Sequence, residues 1–413
     1  MEKTNYAIIG GGLTGCILAF LISKKLDNVS VAIFESNDHL LSSLDCININ
    51  DKKLNNGYHA LELPRAQKTF EIISQTTNLK FRKLPNKKGI IVNEELIGFN
   101  SKFEEWPKSL KKYFNKKIIK GNIEYLKDQI SDEYVDILKK VSKRYCDDFA
   151  IVEHLMIPWF LPKNYLLNTG DEGDIFRNEV FLDKHNSYSI VPHSGLFEEI
   201  QEPFQKKLEE LKIELKFNQQ IKINSDTALF NSSTLNPNDF KKIFFCSSPI
   251  LILKQINFEL FKKLTLNKKS LYNVLIKIDK TKLEEDYSEI LVLDEKDISI
   301  SRLSFPKNLN SDNCTYVQVE VFEKNNFEYE IKKRIVGSIR RILKINENFK
   351  IELLGLFNSR QTFYPSKNHI KSAMDEINNW KIKNEYNLEF VQPLGPINMA
   401  KSTIIAEENI TYL

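Results

Sequence analysis

Gly10-Gly11-Gly12-Leu13-Thr14-Gly15 sets three glycines at G-x-G-x-x-G spacing, a pattern suited to holding a pyrophosphate. Gly10 permits a tight turn, Gly12 lets backbone approach the phosphates, and Gly15 allows a helix to pack closely on a strand. Leu13 and Thr14 open that helix, whose first amides are ready donors to an anion. Glu35 follows Gly15 by twenty residues, where a carboxylate can accept hydrogen bonds from ribose hydroxyls and repel a 2′-phosphate. The competing reading is a plain glycine turn with a solvated glutamate.

Context separates the two. Tyr6 to Ile9 reads as a strand, Leu13 to Leu26 as a helix and Val29 to Phe34 as a second strand, together one βαβ unit around the glycines. From about Glu104 to Met156 the pattern turns helical, with Tyr134, Leu138, Val141 and Tyr145 on one face after Asp132 and Glu133. A strand at Tyr188 to Val191 leads to Ser194, the expected N-cap of a helix that buries Phe197, Ile200, Phe204, Leu208 and Leu211, with a kink at Pro203. Alternation at Val274, Ile276 and Ile278, and again at Val317, Val319 and Val321, predicts an antiparallel sheet. Helices near Lys332 to Leu343 and Asn368 to Lys381 follow, then a return through Phe390 and Val391 to a last helix from Asn398.

The 413 residues suffice for two domains, and 42% hydrophobic content is ordinary for a globular chain. Fifty-nine basic residues against 55 acidic ones leave a net charge of +4, which argues against a nucleic-acid coat. The apolar run Cys16 to Ile22 is too short to span a bilayer and reads as a buried helix, so no transmembrane segment is expected. Five scattered cysteines without a Cys-x-x-Cys pair suggest reduced thiols in a cytoplasm, with neither a metal site nor a disulfide framework. His193-Ser194 lacks a nucleophile elbow, Glu153-His154 lacks the second histidine of a zinc helix, and Lys108 to Lys120 reads as a solvated helix face.

With the fingerprint in place, the order of several further segments resembles FAD-binding proteins of the flavin amine oxidase, protoporphyrinogen oxidase and UDP-galactopyranose mutase type. Asp38-His39-Leu40 follows Glu35; Gly57-Tyr58-His59 is similar to a Gly-x-His segment near the flavin; Val191-Pro192-His193-Ser194-Gly195 is similar to a strand and turn preceding a helix. Phe244-Phe245-Cys246-Ser247-Ser248-Pro249 resembles the strand returning to the cofactor domain. Leu394-Gly395-Pro396-Ile397-Asn398-Met399 resembles a shortened C-terminal flavin-contacting turn, which implies Gly395 and Met399 as cofactor contacts. The resemblance implies FAD as cofactor and His59 at the flavin edge, with a hydrogen-bonded loop histidine as the alternative. Its mutase branch implies Arg302, after a strand Ile298 to Ser301, and Tyr364-Pro365 as contacts to a substrate diphosphate, an arginine being suited to gripping two oxygens. Trp159 and Arg177 are weaker counterparts for which core packing or a surface salt bridge is the better reading.

Two departures stand out. Leu41-Ser42 or Ser42-Ser43 replaces the usual Gly-Gly pair, and Pro393-Leu394 replaces Gly-Arg. The expected architecture is α/β: a discontinuous Rossmann-type FAD-binding domain (1–100, 185–270 and 385–413), a helical insertion (101–184) and an antiparallel-sheet substrate domain (271–384). The expected activity is an FAD-dependent oxidoreductase acting on a small-molecule substrate. The rivals are a flavin-dependent nucleotide-sugar mutase and a non-catalytic binding module on the same fold.

Overall fold

The computed structural model describes residues 4–57, 59–63, 66–84, 88–92, 94–98, 108, 132–142, 188–220, 239–248, 250–264, 269–279, 287–293, 300–306, 308–309, 314–323, 328–362, 367–383, 387–391 and 399–411. Its first layer is a five-stranded parallel sheet, ordered Glu214–Lys216, Val29–Phe34, Thr4–Ile9, Lys242–Phe245 and Leu388–Phe390. Alternate residues of the central strand enter different cores: Tyr6 and Ile8 pack with the Leu13–Lys25 helix, Ala7 and Ile9 with Ile252 and Trp380 on the opposite side. A parallel sheet must be covered on both faces, which is why its three inner strands carry the apolar runs Ala7-Ile8-Ile9, Val31-Ala32-Ile33-Phe34 and Ile243-Phe244-Phe245.

The Leu13–Lys25 helix is buried from Leu13 through Ile22 on every side. Such an all-round apolar helix needs partners on all faces. It lies against the sheet on one side and the Met399–Ile410 helix on the other, where Thr14 Oγ1 donates to Ser402 Oγ at 3.1 Å. The last helix therefore closes the nucleotide unit from 388 residues downstream.

The second layer is a seven-stranded sheet, ordered Ile351–Thr362, Lys269–Asp279, Cys314–Glu323, Ile300–Ser304, Glu289–Val292, Lys88–Val92 and Glu95–Gly98. Its strands are antiparallel except where Glu289–Val292 runs parallel to Lys88–Val92. Val274, Ile276, Val317, Val319 and Val321 form one apolar face, packed on Ile331, Ile335 and Ile339 of the Glu328–Ile342 helix. Asn273, Gln318 and Glu320 occupy the opposite face, and they too are buried. A short antiparallel sheet, Leu61–Leu63, Tyr188–Pro192 and Phe81–Lys83, carries the chain from one layer to the other.

Two segments lie elsewhere than the sequence divides them. Lys88–Val92 and Glu95–Gly98, grouped with the cofactor domain, are strands of the seven-stranded sheet, because the buried run Ile90-Ile91-Val92 needs cover on both faces. The Lys367–Lys383 helix, grouped with the substrate domain, packs through Ala373, Ile377 and Trp380 on the parallel-sheet side. Ser194 also differs from its expected role: its hydroxyl accepts from Leu196 N at 3.0 Å, closing a turn, and a 3-10 turn at Phe197–Ile200 precedes the Gln201–Glu210 helix. Pro203 therefore falls in the helix's first turn, where no intrahelical donor is needed, and has no interior hydrogen bond to break. Of the expected helical insertion, the Asp132–Ser142 helix is described; Trp159 and Arg177 lie outside the described residues.

Candidate functional site

The Gly10 turn is built as its glycines demand. Gly10 has φ +105, and its N–H donates to Phe34 O at 2.8 Å, tying the turn to the neighbouring strand. A Cβ on Gly15 would stand 2.1 Å from Gly10 O, so only glycine lets helix and turn approach this closely. Gly12 differs: a Cβ there would meet no atom of the described residues within 4 Å beyond its chain neighbours, and the residue's φ of −70 is open to any amino acid. The space beside Gly12 faces a helix N-terminus with no side-chain cap and no acidic residue in its first turn, leaving the amides of the first turn available to an anion.

Glu35 is 6% exposed and belongs to the same cluster. Its Oε1 accepts from Ser36 Oγ at 3.0 Å and from Asn37 N and Nδ2, each at 2.9 Å, while Oε2 accepts from Gly11 N at 2.6 Å. Three donors on one oxygen and one on the other leave Oε2 with acceptor capacity for a hydroxyl.

Leu41 opens the segment Leu41-Ser42-Ser43, in which the resemblance expects a glycine pair. It adopts φ 58 and ψ 27, is fully buried in the parallel-sheet core, and donates its N–H to Gly11 O at 2.8 Å. The left-handed conformation costs a leucine about 1–2 kcal/mol. Deleting a buried leucine side chain costs about 2–5 kcal/mol, so packing outweighs strain. Leu41→Gly is therefore expected to destabilise the protein by about 1–3 kcal/mol net, read as a lower urea midpoint. A rise in the midpoint would make strain the larger effect.

His39 ties down this loop from outside. Its Nδ1 is 2.6 Å from Asp38 Oδ1 and its Nε2 is 2.8 Å from Asp45 Oδ1, the same oxygen that accepts from Gln201 Nε2 at 2.6 Å. Hydrogen bonds to Asp38 and then Asp45 raise the imidazole above its ordinary 6.5, and the bond from His39 lowers Asp38 below its ordinary 3.8. The histidine's contribution is complete below pH 6.5 and is lost as pH rises through its raised midpoint. That of Asp38 is complete above 3.8 and is lost as pH falls through its lowered midpoint. Proton NMR titration should give His39 a midpoint above 6.5 in the wild type, falling toward 6.5 in Asp38→Asn.

His59, Gly57 and Gly195 meet at a cleft between the two layers, whose sheet-side wall includes Ser288, Ser304 and Gln318. The His59 ring packs at 5.9 Å on Phe197. Asn55, which carries no motif in the sequence, ties the Gly195 turn to the large sheet at this cleft. Its Nδ2 donates to Gly195 O at 2.8 Å, its Oδ1 accepts from Phe197 N at 2.9 Å, and its carbonyl accepts from Gln318 Nε2 at 2.9 Å. Gln318 also donates to Asn273 Oδ1 at 2.9 Å, and Asn273 Nδ2 donates to Asn56 Oδ1 at 3.1 Å. The buried polar face of the large sheet is thus the floor under the 55–59 loop. An alternation of polar with apolar residues in a strand signals only an outward face, so nothing in the sequence marks it as internal.

Arg302 lies in mid-strand within Ile300–Ser304, not at a strand end. Nη1 is 3.5 Å from Glu289 Oε2 and Nε is 3.6 Å from Glu320 Oε2. Lys88 pairs with Glu289 at 2.7 Å and also with Glu62, so these ion pairs set three carboxylates against two cations. Glu320 lies beside Gly57, whose Cβ would be 3.4 Å from Oε1. The Arg302 fork is turned to carboxylates. Met399 opens the last helix, and its carbonyl accepts from Thr69 Oγ1 at 3.1 Å. Tyr364 and Gly395 lie outside the described residues.

The chain joins a Rossmann-type unit with a parallel sheet to a mainly antiparallel second sheet, a fold it shares with solved oxidases and a sugar mutase. A family model for NAD(P)-binding Rossmann-like domains matches residues 8–76. Among solved structures, reduced UDP-galactopyranose mutase is similar over 100% of this chain and 94% of its own, with TM-score 0.69 and 14% identity. A protein from Exiguobacterium sp. 255-15 assigned as a protoporphyrinogen oxidase covers 100% of both chains, with TM-score 0.61 and 11% identity. Wild-type putrescine oxidase bound to putrescine covers 99% of this chain and 98% of its own, with TM-score 0.56 and 12% identity. Likeness at these identities is likeness of fold. No curated protein sequence matches the chain significantly. Among the described residues, no helix is long and apolar enough to cross a membrane.

Proposed function

We propose that the chain is an FAD-dependent oxidoreductase of the amine-oxidase-like class, working in the reducing cytoplasm. The observation that carries this reading is the open space at Gly12, set at an uncapped helix N-terminus beside Glu35. Each part suits an adenine dinucleotide: Gly10, Gly12 and Gly15 shape the turn, the amides of Leu13 and Thr14 would meet the pyrophosphate, and Glu35 Oε2 would take a ribose hydroxyl. Gly395 and Met399 are the proposed contacts from the end of the chain. When bound, FAD supplies an acceptor for two electrons. His59 would hold or move a proton at its imidazole on the cleft wall, and Asn55 would fix the loop that carries it. Tyr364 is kept as a substrate contact on the resemblance alone.

The mutase reading asks Arg302 to hold a diphosphate. Glu289 and Glu320 already engage that guanidinium, and the excess carboxylate around it opposes a second polyanion, which favours the oxidoreductase. The test is to release and identify the nucleotide from purified protein, then follow flavin reduction and oxygen uptake with candidate substrates. FAD with substrate-dependent reduction is the expected result. NADP alone would overturn the cofactor assignment, flavin turnover without net oxidation would favour the mutase, and protein that takes up no flavin would favour a binding module.

A further inference from the structure

Arg82 is a strand cation that no carboxylate engages among the described residues. It sits on the Phe81–Lys83 strand opposite Val191, half-buried, and its Nε is buried without a hydrogen-bond partner. It makes no ion pair among the described residues, whereas Arg302 and Lys88 each have two carboxylates. Its Nη2 lies 3.4 Å from where a Cβ would stand on Gly195, which has φ +95 and lines the cleft. The positive φ calls for glycine there, and the guanidinium lies at van der Waals range of the turn. On the wall of the same cleft Ser288, 4% exposed, has a buried hydroxyl that also lacks a partner. Leaving such groups without partners in a folded chain costs free energy, and a ligand that completes them restores it. The Glu320 carboxylate, 3.4 Å from where a Cβ would stand on Gly57, disfavours an anion beside that glycine.

We propose that Arg82 is the anchor for the oxyanion of a small-molecule substrate, a carboxylate or a phosphate, and that Ser288 hydrogen-bonds a second polar group of the same molecule. A guanidinium fork matches either oxyanion in two parallel hydrogen bonds, and burial strengthens them. The proposal rests on the cleft being the substrate site of the function proposed above, but its test requires no flavin, so the two can fail separately.

The experiment is a thermal-shift titration of the purified protein with inorganic phosphate and, in parallel, malonate, at constant ionic strength maintained with chloride. Saturable stabilisation beyond chloride is expected, and the anion with the lower midpoint identifies the head group. Arg82→Gln should weaken that midpoint about tenfold or more, Arg82→Lys by less, and Arg302→Lys not at all. The ligand-free Arg82→Gln or Arg82→Met protein should melt no lower than wild type, since each removes an uncompensated charge. Added FAD should shift wild type and Arg82→Gln equally, whatever the size of that shift. The proposal is overturned by no response beyond chloride, by a response that survives Arg82→Gln, or by loss of the FAD and phosphate responses together. Lower ligand-free melting of both the Gln and Met variants would likewise make Arg82 structural.

Discussion

Gly12→Val should abolish FAD binding while leaving the ligand-free protein folded and close to wild type in stability. Both halves follow from the empty volume at this position: a Cβ meets no atom of the described residues within 4 Å beyond its chain neighbours, and φ −70 with ψ 177 is extended backbone that a β-branched residue accepts. A substitution without a steric or hydrogen-bond mechanism stays within about 0.5 kcal/mol. The valine would instead fill the space beside the helix N-terminus that the pyrophosphate requires. A ligand that binds only the folded state stabilises it by about 2.7 kcal/mol at one hundred times its dissociation constant. Wild type should therefore melt higher with FAD added, and the variant should melt at its ligand-free temperature with or without it. Retention of the wild-type thermal shift by a normally folded Gly12→Val protein would remove the phosphate turn from the proposal.

Gly15→Ala should do the reverse, striking the fold before the ligand. Its single methyl group would be placed 2.1 Å from Gly10 O, a contact with backbone that no side-chain rotation relieves. The helix would have to move off the sheet, yet it is packed between that sheet and the Met399–Ile410 helix through fully buried residues such as Cys16, Ile17 and Leu18. Overpacking in a close-packed interior costs about 1–3 kcal/mol and more where the backbone is the obstacle. A loss of about 3 kcal/mol or more is expected in urea unfolding of the ligand-free protein. An unchanged midpoint would contradict the close helix-turn contact. The pair would separate two glycines of one motif: Gly15 required by the protein itself, and Gly12 by the dinucleotide of the proposed function.

Gly10, Gly12 and Gly15 could be read from sequence because the βαβ unit is local: its strands pair within thirty-four residues, and hydrophobic pattern and turn chemistry agree at every step. The alternation of Val274, Ile276 and Ile278 with other residues likewise announced an antiparallel strand, since side chains alternate across a pleated sheet whatever lies beyond it. Sequence by itself thus determined the glycine turn between strand and helix, the acid after the second strand and the character of both sheets. What covers each face is a long-range matter, and only the tertiary structure decided it. It placed Lys88–Val92 against Glu289–Val292, and turned the polar side of the large sheet inward onto Asn55 and Asn56. It also surrounded Arg302 with Glu289 and Glu320 while leaving Arg82 without a carboxylate among the described residues. An arginine's chemistry is the same in every sequence; whether its charge is already neutralised depends on groups that neighbouring strands bring beside it, whose attraction falls with distance in space and carries no mark in the order of the chain.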